Sequence, residues 1–162
     1  RGHLKVPGAV FEQACNRMDQ PTPRVALGMA LRGIATAAID VSDGLLGDLG
    51  HILKASRVGA TVNTSNAIEL IAIHARSLWA NGQFDSQLPP AAALALVLAG
   101  GDDYELAFTA PPTKREAVQQ AGARAGVNVT RIGVIDAAPG LRLVDAQGAS
   151  VSNTFASFDH FA

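Results

Sequence analysis

The stretch "AAIDVSDGLLGDLGHI", residues 37–52, changes its hydrophobic pattern in the middle. Its first residues are small and apolar, which is typical of a short buried strand. From Leu45 onward, apolar residues recur at intervals of three and four, which predicts a helix. Between the strand and the helix lie Asp40, Ser42 and Asp43. This succession of strand, acidic turn and helix predicts a domain in which helices cover a sheet.

The rest of the chain continues to alternate between helical and extended patterns. Helices are predicted at 9–17, 24–32, 67–82, 89–101 and 114–126. Strands are predicted at 34–40, 59–63, 104–110, 127–136 and 141–145, with a further candidate at 149–153. The late strands follow one another as in hairpins, which favours an α+β fold with a mixed β-sheet flanked by α-helices over a purely parallel sheet. We expect residues 1–162 to form a single domain.

Composition excludes several classes of protein. Hydrophobic residues make up 48% of the 162 residues and charged residues 17%, which indicates a folded globular chain. A formal net charge of −1 argues against nucleic acid or an acidic membrane as a partner. No apolar run reaches the roughly 18 residues of a membrane helix. The single cysteine, Cys15, excludes an internal disulfide and agrees with a reducing cytoplasm.

The turn after the first strand has two interpretations. Ser42 or Asp43 could be the N-cap of the following helix, because a side-chain oxygen there accepts hydrogen bonds from backbone N–H groups. Alternatively, the carboxylates of Asp40 and Asp43 could bind a ligand. This turn alone favours the cap.

A second acidic turn strengthens the ligand interpretation. Asp102 and Asp103 follow Gly100 and Gly101 and precede another apolar strand, within "LAGGDDYEL". If the two strands lie in one sheet, the acids of both turns could share a cleft, where they would repel one another unless protonated or neutralised by a cation. Oxygen ligands favour a hard ion such as Mg²⁺. Mg²⁺ takes phosphate oxygens as further ligands, and a helix N-terminus also attracts phosphate.

Four segments then resemble one known family, thiamine-monophosphate kinase, of the aminoimidazole-ribonucleotide-synthetase-like superfamily. They are "QPTPRVALGMALRG" (20–33), "AAIDVSDGLLGDLGHILKAS" (37–56), "LAGGDDYELAFT" (98–109) and "FDHFA" (158–162). The segments occur in the order that the family has. The resemblance implies the family's fold and an ATP-dependent kinase that converts thiamine monophosphate to thiamine diphosphate, with Mg²⁺ and ATP as cofactors.

The resemblance also implies roles for individual residues. Asp40 and Asp43 match the family's Mg²⁺ ligands, and Ser42 matches a contact to the ATP phosphates. Asp102 matches a substrate-contacting acid that is usually glutamate in the family, so its carboxylate is one methylene shorter here. Phe158 matches an aromatic residue against the substrate, where a ring suits the cationic thiazolium of thiamine. The implied reaction is in-line phosphoryl transfer with no strong general base.

The resemblance covers about the C-terminal half of a family member. A missing N-terminal domain would carry further Mg²⁺ ligands and most of the nucleotide site, so we expect the 162-residue chain alone to be inactive. The alternative function is a non-catalytic domain that binds Mg²⁺–phosphate ligands or a partner protein, and a superfamily member acting on another phosphorylated substrate is a third. A homodimer is one assembly that the resemblance allows, and neither nucleic acid nor membrane is expected.

Overall fold

The computed structural model describes residues 8–70, 90–101 and 104–155, in which helices alternate with short strands. The helices are α1 (Gly8–Asp19), α2 (Val25–Ala30), α3 (Leu45–Ser56), α4 (described over 64–70), α5 (Pro90–Ala99) and α6 (Arg115–Ala125). The strands are β1 (Ala37–Val41), β2 (Gly59–Asn63), β3 (Glu105–Thr109), β4 (Gly133–Asp136), β5 (Gly140–Val144) and β6 (Ser150–Val151). A 3₁₀ turn, Pro112–Lys114, precedes α6.

The strands next to the two acidic turns pair with each other, so they lie in one sheet, which is the condition under which the sequence analysis expected a shared cleft. β1 and β3 form an antiparallel two-stranded sheet, with Asp40 opposite Leu106 and Val41 opposite Glu105. In an antiparallel pair the end of one strand lies beside the start of the other. The turn that follows β1 and the turn that precedes β3 therefore lie at the same end of this sheet.

The other four strands form a mixed sheet in the order β4-β2-β5-β6. β2 is parallel to β5 and antiparallel to β4, and β5 is antiparallel to β6. The α+β class with mixed pairing and flanking helices is confirmed. The strand predicted at 127–136 is shorter than expected, because the residues before Gly133 lie outside it and Val127 and Val129 pack against α2 and α6 instead.

Two hydrophobic clusters hold these layers together. The larger one joins α3, α5 and the four-stranded sheet, and it includes Val41 on one face of β1. The smaller one lies between α2 and α6, and Leu106 and Phe108 of β3 pack against it. The β1–β3 sheet is thus packed on both faces, and burial of its apolar side chains fixes the end of the sheet that carries the acidic turns.

The predicted helix at 67–82 begins earlier than expected, at residue 64, and its later residues lie outside the described part of the chain. In the ranges that the structure describes, no helix combines the length and the apolar character that crossing a membrane requires.

Candidate functional site

The turn after β1 ends in a glycine that starts the helix. α3 begins at Leu45, and its N-cap is Gly44, with φ of 111°. The prediction of Ser42 or Asp43 as the N-cap residue is therefore wrong. Gly44 occupies the N-cap because L-residues with a side chain rarely adopt this φ, and because a Cβ atom there would lie 3.0 Å from the carbonyl carbon of Ala99.

A buried carboxylate that the sequence analysis did not identify holds this turn. Asp48, on the first turns of α3, is 3% exposed. Its Oδ2 accepts hydrogen bonds from the backbone N–H groups of Ser42 at 2.9 Å and Asp43 at 3.1 Å. The side chain of Asp48 thus fixes the backbone of Ser42, the predicted phosphate contact, and of Asp43, one of the two predicted Mg²⁺ ligands.

The two acidic turns touch each other through their backbones. A Cβ atom on Gly101 would lie 2.6 Å from the carbonyl oxygen of Ser42, so the chain at Gly101 passes directly against the first turn. Gly44 in turn lies against Ala99, at the end of α5. Residues 99–101 and 42–44 therefore form one contact, which depends on glycine at both places.

The structure describes three of the five predicted site residues. Asp40 and Ser42 are exposed, and Asp43 is half-buried. All three lie at the end of β1 or in the turn that follows it. Asp102 and Phe158 lie outside the described residues. Among the described residues, no group of three or more His, Cys, Asp or Glu side chains forms a complete metal cage.

A second charged cluster fixes the start of β3. Arg24, which precedes α2, donates from Nε to Glu105 Oε2 at 2.8 Å and from Nη2 to Oε1 at 2.7 Å. Arg17 of α1 donates to the same Oε1. A bidentate arginine–carboxylate pair is geometrically specific as well as strong. It attaches α1 and α2 to the strand immediately after the second acidic turn.

Opposing effects set the pKa of Glu105. Partial burial raises the pKa of its carboxyl, but the hydrogen bond from Arg24 and the charges of Arg24 and Arg17 outweigh burial, so the pKa lies below its ordinary value. The hydrogen bond to Glu105 likewise raises the pKa of Arg24. Both residues are therefore charged at neutral pH, and their pairing contributes to folding stability in its ionised form.

This pairing predicts a pH-dependent stability. Because the folded-state pKa of Glu105 is depressed, its contribution is present above the unfolded-state pKa and is lost as the pH falls through the folded value, in the acid range below about pH 4.5. We expect Glu105→Gln to destabilise the protein by about 1 kcal/mol near neutral pH, a small value because the carboxyl is partly exposed. Urea unfolding from pH 3 to pH 7 measures the difference from wild type, which should shrink toward the acid end.

The matched control for that experiment is Glu12→Gln, which changes an exposed acid on α1 outside the first turn of its helix and should leave the free energy of unfolding nearly unchanged from pH 3 to pH 7. A difference in the free energy of unfolding between Glu105→Gln and wild type that stays constant from pH 3 to pH 7 would contradict a stabilising role of the ionised Glu105 carboxylate.

Comparison with known proteins identifies the family. The profile of the family described as AIR synthase related protein, C-terminal domain, matches residues 16–146. The chain belongs to this family. The part of the chain that matches the family of AIR synthase related proteins includes both acidic turns, α3 with Asp48, and the Arg24–Glu105 pair.

Individual relatives carry the name that the sequence motifs predicted. Thiamine-monophosphate kinase of Salmonella typhimurium is 42% identical over 144 residues, and that of Escherichia coli K12 is 39% identical over 144 residues. Each alignment covers 88% of this chain and 41% of the relative. The chain thus spans about two fifths of the length of these curated relatives. The resemblance to the thiamine-monophosphate kinase family is confirmed.

Solved structures show the same fold. The crystal structure of thiamine-monophosphate kinase from Stenotrophomonas maltophilia aligns with a TM-score of 0.69 and 35% identity, over 91% of this chain and 42% of that one. AaThiL complexed with AMPPCP and TMP aligns with a TM-score of 0.57 over 88% of this chain and 40% of that one. At 23% identity, the second likeness shows the fold alone.

Proposed function

We propose that this chain is the C-terminal part of an ATP-dependent kinase that phosphorylates thiamine monophosphate to thiamine diphosphate, with Mg²⁺ as cofactor. The observation that carries the proposal is the contact between the two acidic turns, in which Gly101 lies against the carbonyl of Ser42. Asp102 is the next residue after Gly101. One short contact therefore joins the Mg²⁺-ligand turn to the turn with the proposed substrate-binding acid.

The donor set at the end of β1 and in the turn that follows it fits Mg²⁺. Asp40 and Asp43 supply carboxylate oxygens, one exposed and one half-buried. Mg²⁺ in phosphoryl-transfer enzymes is commonly bound by one or two carboxylates together with substrate phosphates, and it retains several waters. We propose Asp40 and Asp43 as the ligands that this chain contributes.

The proposed mechanism assigns positioning and charge to these residues. When bound, Mg²⁺ would neutralise the phosphate charges that oppose transfer. Ser42, exposed beside the two acids, would donate its hydroxyl to a phosphate oxygen of ATP. Asp102 and Phe158 would contact thiamine monophosphate. Because the acceptor phosphate is already ionised near neutral pH, the chain needs no general base, and alignment of donor and acceptor supplies most of the rate.

The relatives support the phosphate acceptor and the nucleotide. Those named above are thiamine-monophosphate kinases, and AaThiL, which shares the fold, was solved with AMPPCP and TMP. We place the proposed kinase reaction in the cytoplasm, because ATP is available there. The whole protein would include a further domain, since the chain corresponds to 41% of the Salmonella relative.

The test is an assay of the whole protein for thiamine diphosphate formed from thiamine monophosphate, ATP and Mg²⁺. We expect turnover that requires all three components, and none from the 162-residue chain by itself. Phosphate-ligand binding by the whole protein without turnover would instead support a non-catalytic domain. Turnover with a different phosphorylated acceptor in preference to thiamine monophosphate would overturn the substrate assignment.

A further inference from the structure

The side chain of Asp48 occupies an unusual place for an acid. It is 3% exposed, and its neighbours along α3, Leu45, Leu46 and Leu49, are all buried in the larger hydrophobic cluster. A buried carboxylate is costly unless it is hydrogen-bonded. A leucine here would continue the apolar face of the helix, so packing alone does not account for an acid at this position.

The hydrogen bonds of Asp48 point to a role in the turn. Two hydrogen bonds run from backbone N–H groups of the turn, those of Ser42 and Asp43, to a single oxygen of Asp48, Oδ2. The backbone N–H of Asp48 itself bonds to the carbonyl of Gly44 at 3.0 Å, within the first turn of α3. The side chain therefore links the rigid start of α3 to the two residues before Gly44, and it does so from a position that water hardly reaches.

This link determines where the side chains of the turn point. Two adjacent N–H groups that donate to one fixed oxygen restrict the peptide planes of Ser42 and Asp43. We propose that Asp48 is a positioning residue for Mg²⁺ and phosphate binding: it orients the turn that carries Asp43 and Ser42 and touches neither metal nor phosphate itself. The inference rests on the proposed function for the ligands, but the hydrogen-bonded turn can be measured without turnover.

The experiment compares Asp48→Ala and Asp48→Asn with wild type in the whole protein. Alanine removes the acceptor, whereas asparagine can present a neutral oxygen in the place of Oδ2, with bonds that are weaker than those of a carboxylate. Residues that hold metal ligands in place typically contribute roughly 10- to 100-fold to metal affinity or activity. We therefore expect Asp48→Ala to raise the Mg²⁺ concentration for half-maximal rate by about tenfold or more, and Asp48→Asn to give an intermediate value.

Hydrogen–deuterium exchange of the peptide that spans residues 40–48 gives the second readout. The amides of Ser42 and Asp43 should exchange faster in Asp48→Ala than in wild type, with Asp48→Asn between the two. Leu31→Ala is the control for general destabilisation, because Leu31 is 3% exposed and lies in the smaller cluster, whose described members come from α2, β3, α6 and the segments next to them and not from the turn or α3. It should lower the melting temperature and leave both the Mg²⁺ response and the exchange at residues 40–48 unchanged.

Wild-type values of the Mg²⁺ response or of the exchange in Asp48→Ala would overturn the inference. If Asp48→Ala does not fold, the test uses Asp48→Asn instead. Wild-type values of both the Mg²⁺ response and the exchange in Asp48→Asn would then overturn the inference. If the wild-type protein forms no thiamine diphosphate, the proposed function fails, and the exchange measurement still tests the role of Asp48 in the turn.

Discussion

Replacing Asp43 by asparagine in the whole protein is expected to lower the rate of thiamine diphosphate formation by roughly 100-fold or more, since a metal ligand in such a site supplies several kcal/mol of charge stabilisation. Asparagine has nearly the shape of aspartate, and the backbone N–H of residue 43 can still donate to Asp48. The fold should therefore stay intact. The substitution removes the negative charge that Asp43, as a proposed Mg²⁺ ligand, would supply.

Initial rates across a range of Mg²⁺ concentrations, together with thermal melting, measure this effect. High Mg²⁺ should restore part of the rate, because a weakened site fills at higher metal concentration. The control, Glu116→Gln, removes an exposed acid on α6, and its rate should equal that of wild type. An unchanged rate in Asp43→Asn would assign Asp43 a purely structural role in the turn.

The sequence sufficed to predict the parts of the site that local patterns determine. The change from an apolar strand to a helical period located β1, the turn and α3. The strands beside the two acidic turns were expected to share a sheet, but their direct antiparallel pairing was not predicted. The start of α3 was predicted wrongly. Side-chain preference favours Ser42 or Asp43 as the N-cap. The φ of 111° at Gly44, together with Ala99 at 3.0 Å from a Cβ there, favours glycine instead, and the sequence shows neither feature.

Two interactions that hold the site depend on tertiary structure. Asp48 resembles an ordinary polar residue of a helix, and its only sequence signal is its spacing: it lies three residues after Leu45 and four before Ile52, both buried, so it interrupts an apolar face. Arg24 and Glu105 are 81 residues apart. No local pattern pairs them, because their contact follows from the packing of α2 against the β1–β3 sheet.

The contact between the two turns leads to the second large effect, which is expected for Gly101→Ala. The φ of Gly101 lies outside the left-handed region, so the conformation itself tolerates alanine, but the added Cβ would lie 2.6 Å from the carbonyl oxygen of Ser42. Backbone atoms on both sides of the contact cannot rotate away as a side chain can. The turn that carries Asp102 must therefore move relative to the turn that carries Asp43. A displacement of about 1 Å in an aligned site can cost on the order of 100-fold in rate.

Gly50→Ala is the matched control for Gly101→Ala. A Cβ atom on Gly50 would meet nothing within 4 Å, and alanine inside a helix is favoured over glycine by about 1 kcal/mol. This variant should melt at a higher temperature and keep the wild-type rate. Gly101→Ala should instead lose rate far beyond any loss of stability, since its clash lies between the two turns and not in the hydrophobic core. A wild-type rate in Gly101→Ala would show that catalysis does not depend on the close approach of the two acidic turns. The contact between Gly101 and the carbonyl of Ser42 would then no longer support the proposed function.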